Sequence, residues 1–301
     1  MRIVLSRKGF DSAAGGGPSP VLEDGTLLSL PIPEKANQGH APKNLETANW
    51  HKYDDLNLPP KIKEYCKKQS KSEYCHLDPD IRPELWCHCE KWQPTFGQCD
   101  AAAGHLIDQL KLKKEADKKI VITEPVLFLF FGLFRKYNGK QFYDKPVHAI
   151  WGYMVCDKVI INDQKEMPPY HPHSKLKKGK KNFNNLLFIP KEGCFGTFKY
   201  CKRLVLTDSD LQQPAKTRWK INALPWFKYL KDGTVTMSYH PNKAKCFPED
   251  DAYFQACQGY GQEFVVSQGV VDHPELNWEN CSFCQILSNL EKMYPKKERK
   301  L

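Results

Sequence analysis

No stretch of this sequence is apolar for long enough to cross a bilayer as a helix. Its most apolar run, Val126 to Phe134, has nine residues, whereas a spanning helix needs about 20. A buried strand fits that run better. The segment Met1 to Phe10 holds Arg2, Arg7 and Lys8, and the apolar run between them is only Ile3-Val4-Leu5. That is too short for a signal-peptide core, so a soluble, cytoplasmic protein with no membrane partner is expected. No Gly-Lys-Ser/Thr closes a glycine-rich loop, which excludes a Walker A phosphate site. Internal repeats are absent, and strands and helices do not alternate at βαβ spacing, which argues against a doubly wound fold.

Cysteine is not scarce. The chain carries 12, but at 301 residues it is far larger than the usual disulfide-stapled domain, so most are expected to be reduced thiols. Cys87-His88-Cys89 with Cys66, Cys75 and Cys99 offers a zinc alternative. Its spacing is poor, because one residue separates Cys87 from Cys89 where structural knuckles use two to four. Cys281-Ser-Phe-Cys284 has suitable spacing but falls on a predicted helix. Net charge is +10, which favours polyanionic partners. The excess concentrates in Lys175 to Lys181 and in the tail Lys296 to Lys300, each read either as a solvated segment or as a phosphate-contacting patch.

Along the chain, the pattern predicts a strand over Arg2 to Ser6, a glycine-rich loop, and a hairpin whose turn is Asp24-Gly25. A short helix is expected near Lys61 to Lys68 and another from Cys99 to Lys113. Strands are expected at Val126–Arg135, Ala149–Val155 continuing to Val159–Ile161, Leu186–Ile189, Leu204–Leu206 and Phe264–Val266. A helical turn at Asn222–Lys231 and a C-terminal helix at Trp278–Met293 complete the reading. The fold class is α+β: a mixed, largely antiparallel sheet with flanking helices and long loop insertions. A single domain over 1–301 is expected, with a Cys-rich insertion at about 61–100 and a basic loop at about 165–183.

Several constellations carry chemistry. Arg7, Lys8 and Gly9, followed by Asp11 and then Gly16 and Gly17, place cations beside free backbone amides, an arrangement suited to phosphate. Asp11 is a candidate base or a turn cap. Arg135 and His148, at facing strand ends, suit a phosphate or base edge, and Trp151 or Tyr153 could stack on a base. His171 and His173 precede the lysines Lys177 and Lys178 and join them as candidate contacts to nucleic acid. His76, Asp78 and Asp80 are weak candidates for a divalent metal; no cofactor is named. Glu263 is an isolated acid, read as a general base or as an ion-pair partner of Arg135 or Lys8. Lys8, Asp11, Arg135 and His148 are expected to converge on one pocket as catalytic residues.

Nine short motifs in order resemble the nucleotide modification associated domain 3 family: Ser6–Ser12 with Gly16–Pro20, Ser29–Pro33, His76–Asp80, Phe96–Gln98, Phe130–Arg135, His148–Tyr153, His171–His173, Leu204–Thr207 and Gly261–Phe264. The resemblance implies a link to systems that install or handle altered bases in DNA, with other DNA-modification proteins as partners, and it assigns no catalytic residue. The expected function is an enzyme or accessory factor handling a nucleotide or a base in nucleic acid. The alternatives are a non-catalytic reader of modified DNA and a metal-dependent nuclease or hydrolase.

Overall fold

A computed structural model of the chain describes residues 2–12, 14–34, 51–86, 92–114, 120–163, 165–175, 184–210, 215–220, 229, 234–238, 246, 253–256 and 263–266. The Cys87-His88-Cys89 motif, Lys177, Lys178, most of the helical turn at 222–231, Cys281, Cys284, the expected C-terminal helix and the lysine tail lie outside the described residues.

The first half contributes strands β1 (Arg2–Arg7), β2 (Ser19–Val21), β3 (Ile32–Pro33), β4 (His51–Lys52), β5 (Tyr74–His76) and β6 (Phe96–Cys99). Two helices lie among them, α1 (Pro60–Ser70) and α2 (Asp100–Gln109). There follow β7 (Lys113–Lys114), β8 (Ile120–Tyr137), β9 (Phe142–Ile161), β10 (Asn185–Thr197), β11 (Arg218–Trp219), β12 (Val235–Met237), β13 (Phe254–Gln255) and β14 (Glu263–Val266).

Nine strands form one sheet in the order β12-β14-β1-β8-β9-β10-β6, with β2 and β7 also paired to β8. The expected strands at Ile3–Leu5, Val126–Phe134 and Ala149–Val155 are therefore neighbours in it. β1 and β2 both run parallel to β8, whereas β9 pairs with β8 antiparallel. The sheet is thus mixed and curled, with only two helices among the described residues, where a largely antiparallel sheet with flanking helices was expected. The difference lies at the centre: the chain returns to β8 after a long excursion and enters alongside β1, not as a hairpin.

Apolar side chains occupy both faces of β8 because each face is covered. Leu127, Leu129 and Phe131 point into one core layer with Ile3, Leu5, Trp219 and Phe264. Phe128, Phe130 and Phe134 point into the other with Val4, Phe96 and Leu106. This is the period-2 alternation of a strand buried on both sides. At the β8–β9 hairpin, the Asn138 carboxamide oxygen accepts from the Lys140 and Gln141 N–H groups, a side-chain turn that fixes the register.

Helix α1 shows the same economy. It begins with Pro60 in its first turn and ends at Lys71 in the left-handed conformation. Its buried residues are Ile62, Cys66 and Ser70, spaced four apart on one stripe. They pack with Phe10, Leu30, Tyr53 and Cys75 into a small separate core beside the β3-β5-β4 sheet. Burial pushes the Cys66 thiol up to about 12, so this cysteine is protonated at neutral pH. Leu204 to Leu206 is not a strand. Lys202–Leu204 is a single 3-10 turn, and Val205 makes an isolated bridge to Ala149.

Truncating Phe128, fully buried at the sheet centre, to alanine is expected to cost about 3–5 kcal/mol. Tyr143, an exposed aromatic residue, should tolerate the same change within about 0.5 kcal/mol. Chemical denaturation of the two variants checks the contrast.

Candidate functional site

Alternation along β1 sends Ser6 and Lys8 to one face of the sheet and Arg7 to the other. On the first face the curl of the sheet brings β6, at one edge, across to β14, near the other. Gln98 of β6 donates through Nε2 to Glu263 Oε1 of β14, although five places in the strand order separate the two strands. Ser6, directly opposite Glu263 in the β1–β14 register, donates to the same oxygen at 3.4 Å. The other carboxylate oxygen of Glu263 is buried without a hydrogen-bond partner among the described residues. Burial raises the Glu263 carboxyl above its usual range, with the Lys8 ammonium partly opposing the rise.

Lys8 is buried to 4% exposure. Its ammonium lies 3.8 Å from Asp78 Oδ2 and 4.6 Å from the centroid of the Phe96 ring. A buried cation needs such company, since its desolvation would otherwise drive it to neutrality. Asp78 is held by its second oxygen, which accepts from the Gly97 N–H at 2.7 Å. His173 Nε2 stands 3.8 Å from Asp78 Oδ2. The His173 tautomer follows from its neighbour. Asn185 Nδ2 donates to the His173 carbonyl at 2.8 Å, which turns Asn185 Oδ1 toward His173 Nδ1 at 2.6 Å. Nδ1 therefore carries the proton, and the neutral ring presents a basic Nε2 to Asp78. Burial lowers the His173 pKa, and Asp78 opposes the shift. Glycine is required at 97, because a Cβ there would run into the His173 ring.

The result is a desolvated group of one cation, two carboxylates and one neutral imidazole, held by Ser6, Gln98 and Asn185. Such a set can shuttle protons and stabilise a developing negative charge.

The other face gathers a second polar group. Arg7 pairs with Asp11 at 2.8 Å, and Asp11 also caps its own loop by accepting from the Ala14 N–H. His148 Nδ1 accepts from Trp219 Nε1 at 2.9 Å, and its ring meets Phe131 edge-on. Burial and the positive charges of Arg7 and Lys216 pull the His148 pKa down to about 3. Lys8 and His148 thus lie on opposite faces, and the expected convergence of Lys8, Asp11, Arg135 and His148 does not occur. Two causes account for it. His148 sits inside β9 opposite Leu133, because that strand begins at Phe142. Arg135 lies beyond both groups near the hairpin, where its Nε donates to the Asp144 carbonyl.

The remaining candidates have plain positions. Gly9 and Gly16 take positive φ in the loop after β1, and Gly17 abuts the Tyr65 hydroxyl. Trp151 and Tyr153 are buried in the two core layers, so neither offers a free ring face. His171 is buried beside His173. His76 faces Glu34, Asp78 faces Lys8, and Asp80 accepts from Trp92 Nε1 at 2.9 Å. These three diverge, and among the described residues no three His, Cys, Asp or Glu side chains meet as a metal site.

A sequence model of the nucleotide modification associated domain 3 family matches residues 2–267. The chain belongs to this family. No curated protein and no solved structure matches it. The region matched to the nucleotide modification associated domain 3 family contains every residue of the Lys8 group. Five of the nine resembling motifs each send side chains into that group: Ser6 and Lys8, Asp78, Gln98, His173 and Glu263. Sequence reasoning passed over Gln98 and Ser6. The signal for Gln98 was its place in Phe96–Gln98, and for Ser6 a polar residue at an inward position of an apolar strand. Asn185 had no signal. No helix among the described residues is long and apolar enough to cross a membrane.

Asp80 gives a test of this region's electrostatics. Burial pushes its carboxyl up to about 7, against the Trp92 hydrogen bond. A carboxyl raised by folding destabilises the fold increasingly as pH rises from its unfolded value toward its folded one. Asp80→Asn is therefore expected to raise the melting temperature at pH 8, with a benefit that shrinks steadily as pH falls toward 4. A benefit independent of pH would contradict the assignment.

Proposed function

We propose that this protein acts in the modification of nucleotides or of bases in nucleic acid, with the Lys8–Asp78–His173–Glu263 group as its reacting centre. The observation that carries the reading is the burial of four ionisable side chains from four distant segments in one place. Burying such groups costs stability, and clusters of buried ionisable groups are characteristic of working sites. Family membership supports a nucleotide or a nucleic-acid base as the substrate class. Lys8 would hold an anionic or carbonyl oxygen of the substrate. His173 Nε2 and Glu263, each with a free lone pair or proton, would exchange protons with it.

The aromatic reader is less well supported, since Trp151 and Tyr153 are core residues. The metal-dependent hydrolase is less well supported too, since His76, Asp78 and Asp80 diverge.

Mass spectrometry of total nucleosides from cells with and without the protein tests the reading. An altered nucleoside is expected with the wild-type chain and not with Lys8→Ala or Glu263→Gln; identical profiles in every case would sink it. The Glu263 variant carries a second signature. Because folding raises that carboxyl, the neutral glutamine should stabilise the protein at pH 8 while abolishing the nucleoside change. A merely structural Glu263 would not couple gained stability to loss of function.

A further inference from the structure

Beyond the Lys8 group, near the β8–β9 hairpin, the surface opens into a cleft of about 230 Å³. Arg135, Lys136, Lys145, Lys202 and Lys220 line it, against only Asp144 and Asp210. Lys136 is neutralised by Asp144 at 3.0 Å. The other four cations have no carboxylate within ion-pairing distance among the described residues. Arg135 is nonetheless fixed in place, its Nε bound to the Asp144 carbonyl at 2.7 Å, which leaves the charged end of the guanidinium free to meet a ligand. Tyr200 adds a half-buried ring to the same wall.

From this we infer that the cleft binds the phosphodiester backbone of a polynucleotide. Four uncompensated cations around one concavity call for a polyanion. They come from three separate stretches of chain, β8, the start of β9 and the 202–220 region, which the fold gathers around one concavity. A ring among cations suits a strand whose bases stack.

The position agrees. The floor of the cleft includes Val21, Val147 and Val205, which belong to the same core layer as Phe96 and Phe130 beside Lys8. The Lys8 N–H binds the Phe131 carbonyl, and Arg135 lies four residues further along β8, about 13 Å at 3.3 Å per residue. The cleft thus adjoins the strand and the core layer on which the Lys8 group is built. The inference rests on the modification reading and narrows its substrate to a nucleotide within a polymer.

Fluorescence anisotropy with labelled single- and double-stranded oligonucleotides, from 50 to 300 mM salt, tests it. The variant Arg135→Gln/Lys145→Gln/Lys202→Gln/Lys220→Gln is expected to bind at least about tenfold more weakly. Its salt slope should fall by about three, at roughly 0.7 to 0.9 for each phosphate no longer neutralised. Lys158→Gln/Lys191→Gln, exposed positions that do not line the cleft, should leave both unchanged. If the fourfold variant folds poorly, Lys145→Gln and Lys202→Gln singly, both exposed, should each lower the slope by the amount due to one phosphate. Unaltered affinity and slope, or no binding by the wild-type chain, would overturn the inference. Full displacement of the oligonucleotide by inorganic phosphate at equal phosphate concentration would overturn it too, by assigning the cleft to a single phosphate. Binding is read without turnover, so this result and the nucleoside profile succeed or fail independently.

Discussion

A lysine ammonium buried in a protein core must be matched by negative charge, and much of this molecule is arranged around that demand. Lys8 sits just past the end of the central β1 strand, 3.8 Å from the Asp78 carboxylate and over the Phe96 ring, and its charge also acts on Glu263. The sheet curls until Gln98 of β6 reaches Glu263 of β14, and the Gly97 N–H of β6 holds Asp78. Gly97 allows His173 to approach, and Asn185 sets its tautomer.

The two faces of the sheet divide the work. One core layer, built on Leu127, Leu129, Phe131 and Trp219, encloses a neutral His148 and ends at the Arg7–Asp11 pair. The other encloses the Lys8 group and extends as far as the basic cleft. Adjacent residues of a strand serve different layers, so Arg7 and Lys8, neighbours in sequence, take part in separate networks.

That division explains what could be read in advance. The apolar runs of β1, β8 and β9 announced a shared sheet, and α1 and the Asp24-Gly25 turn followed from local pattern. Lys8 and Glu263, read in the sequence as a strand-end cation and as an isolated acid (a general base or an ion-pair partner of Arg135 or Lys8), both lie buried on the same face of the sheet. The pocket joining Lys8 to His148 was not there to be read, because strand alternation separates them and β9 starts at Phe142, well before His148. Gln98 reaches Glu263 only through the curl, a three-dimensional property, and Asn185 lay in no motif. Five of the nine motifs that resemble the nucleotide modification associated domain 3 family supply side chains to the cluster, and the family match spans them all.

The pairing of Ser6 with Glu263 spans 257 residues of chain, which has a consequence during synthesis. At about 5 to 20 residues per second, β1 emerges from the ribosome roughly 13 to 50 seconds before its partner β14. Throughout that interval the β1 edge that will take β14 stands open with Ile3, Val4 and Leu5 at its centre, and Asp78 and Glu263 arrive at different times. The centre of the sheet is thus a nascent-chain hazard, of the kind that molecular chaperones shield until the last strand is made.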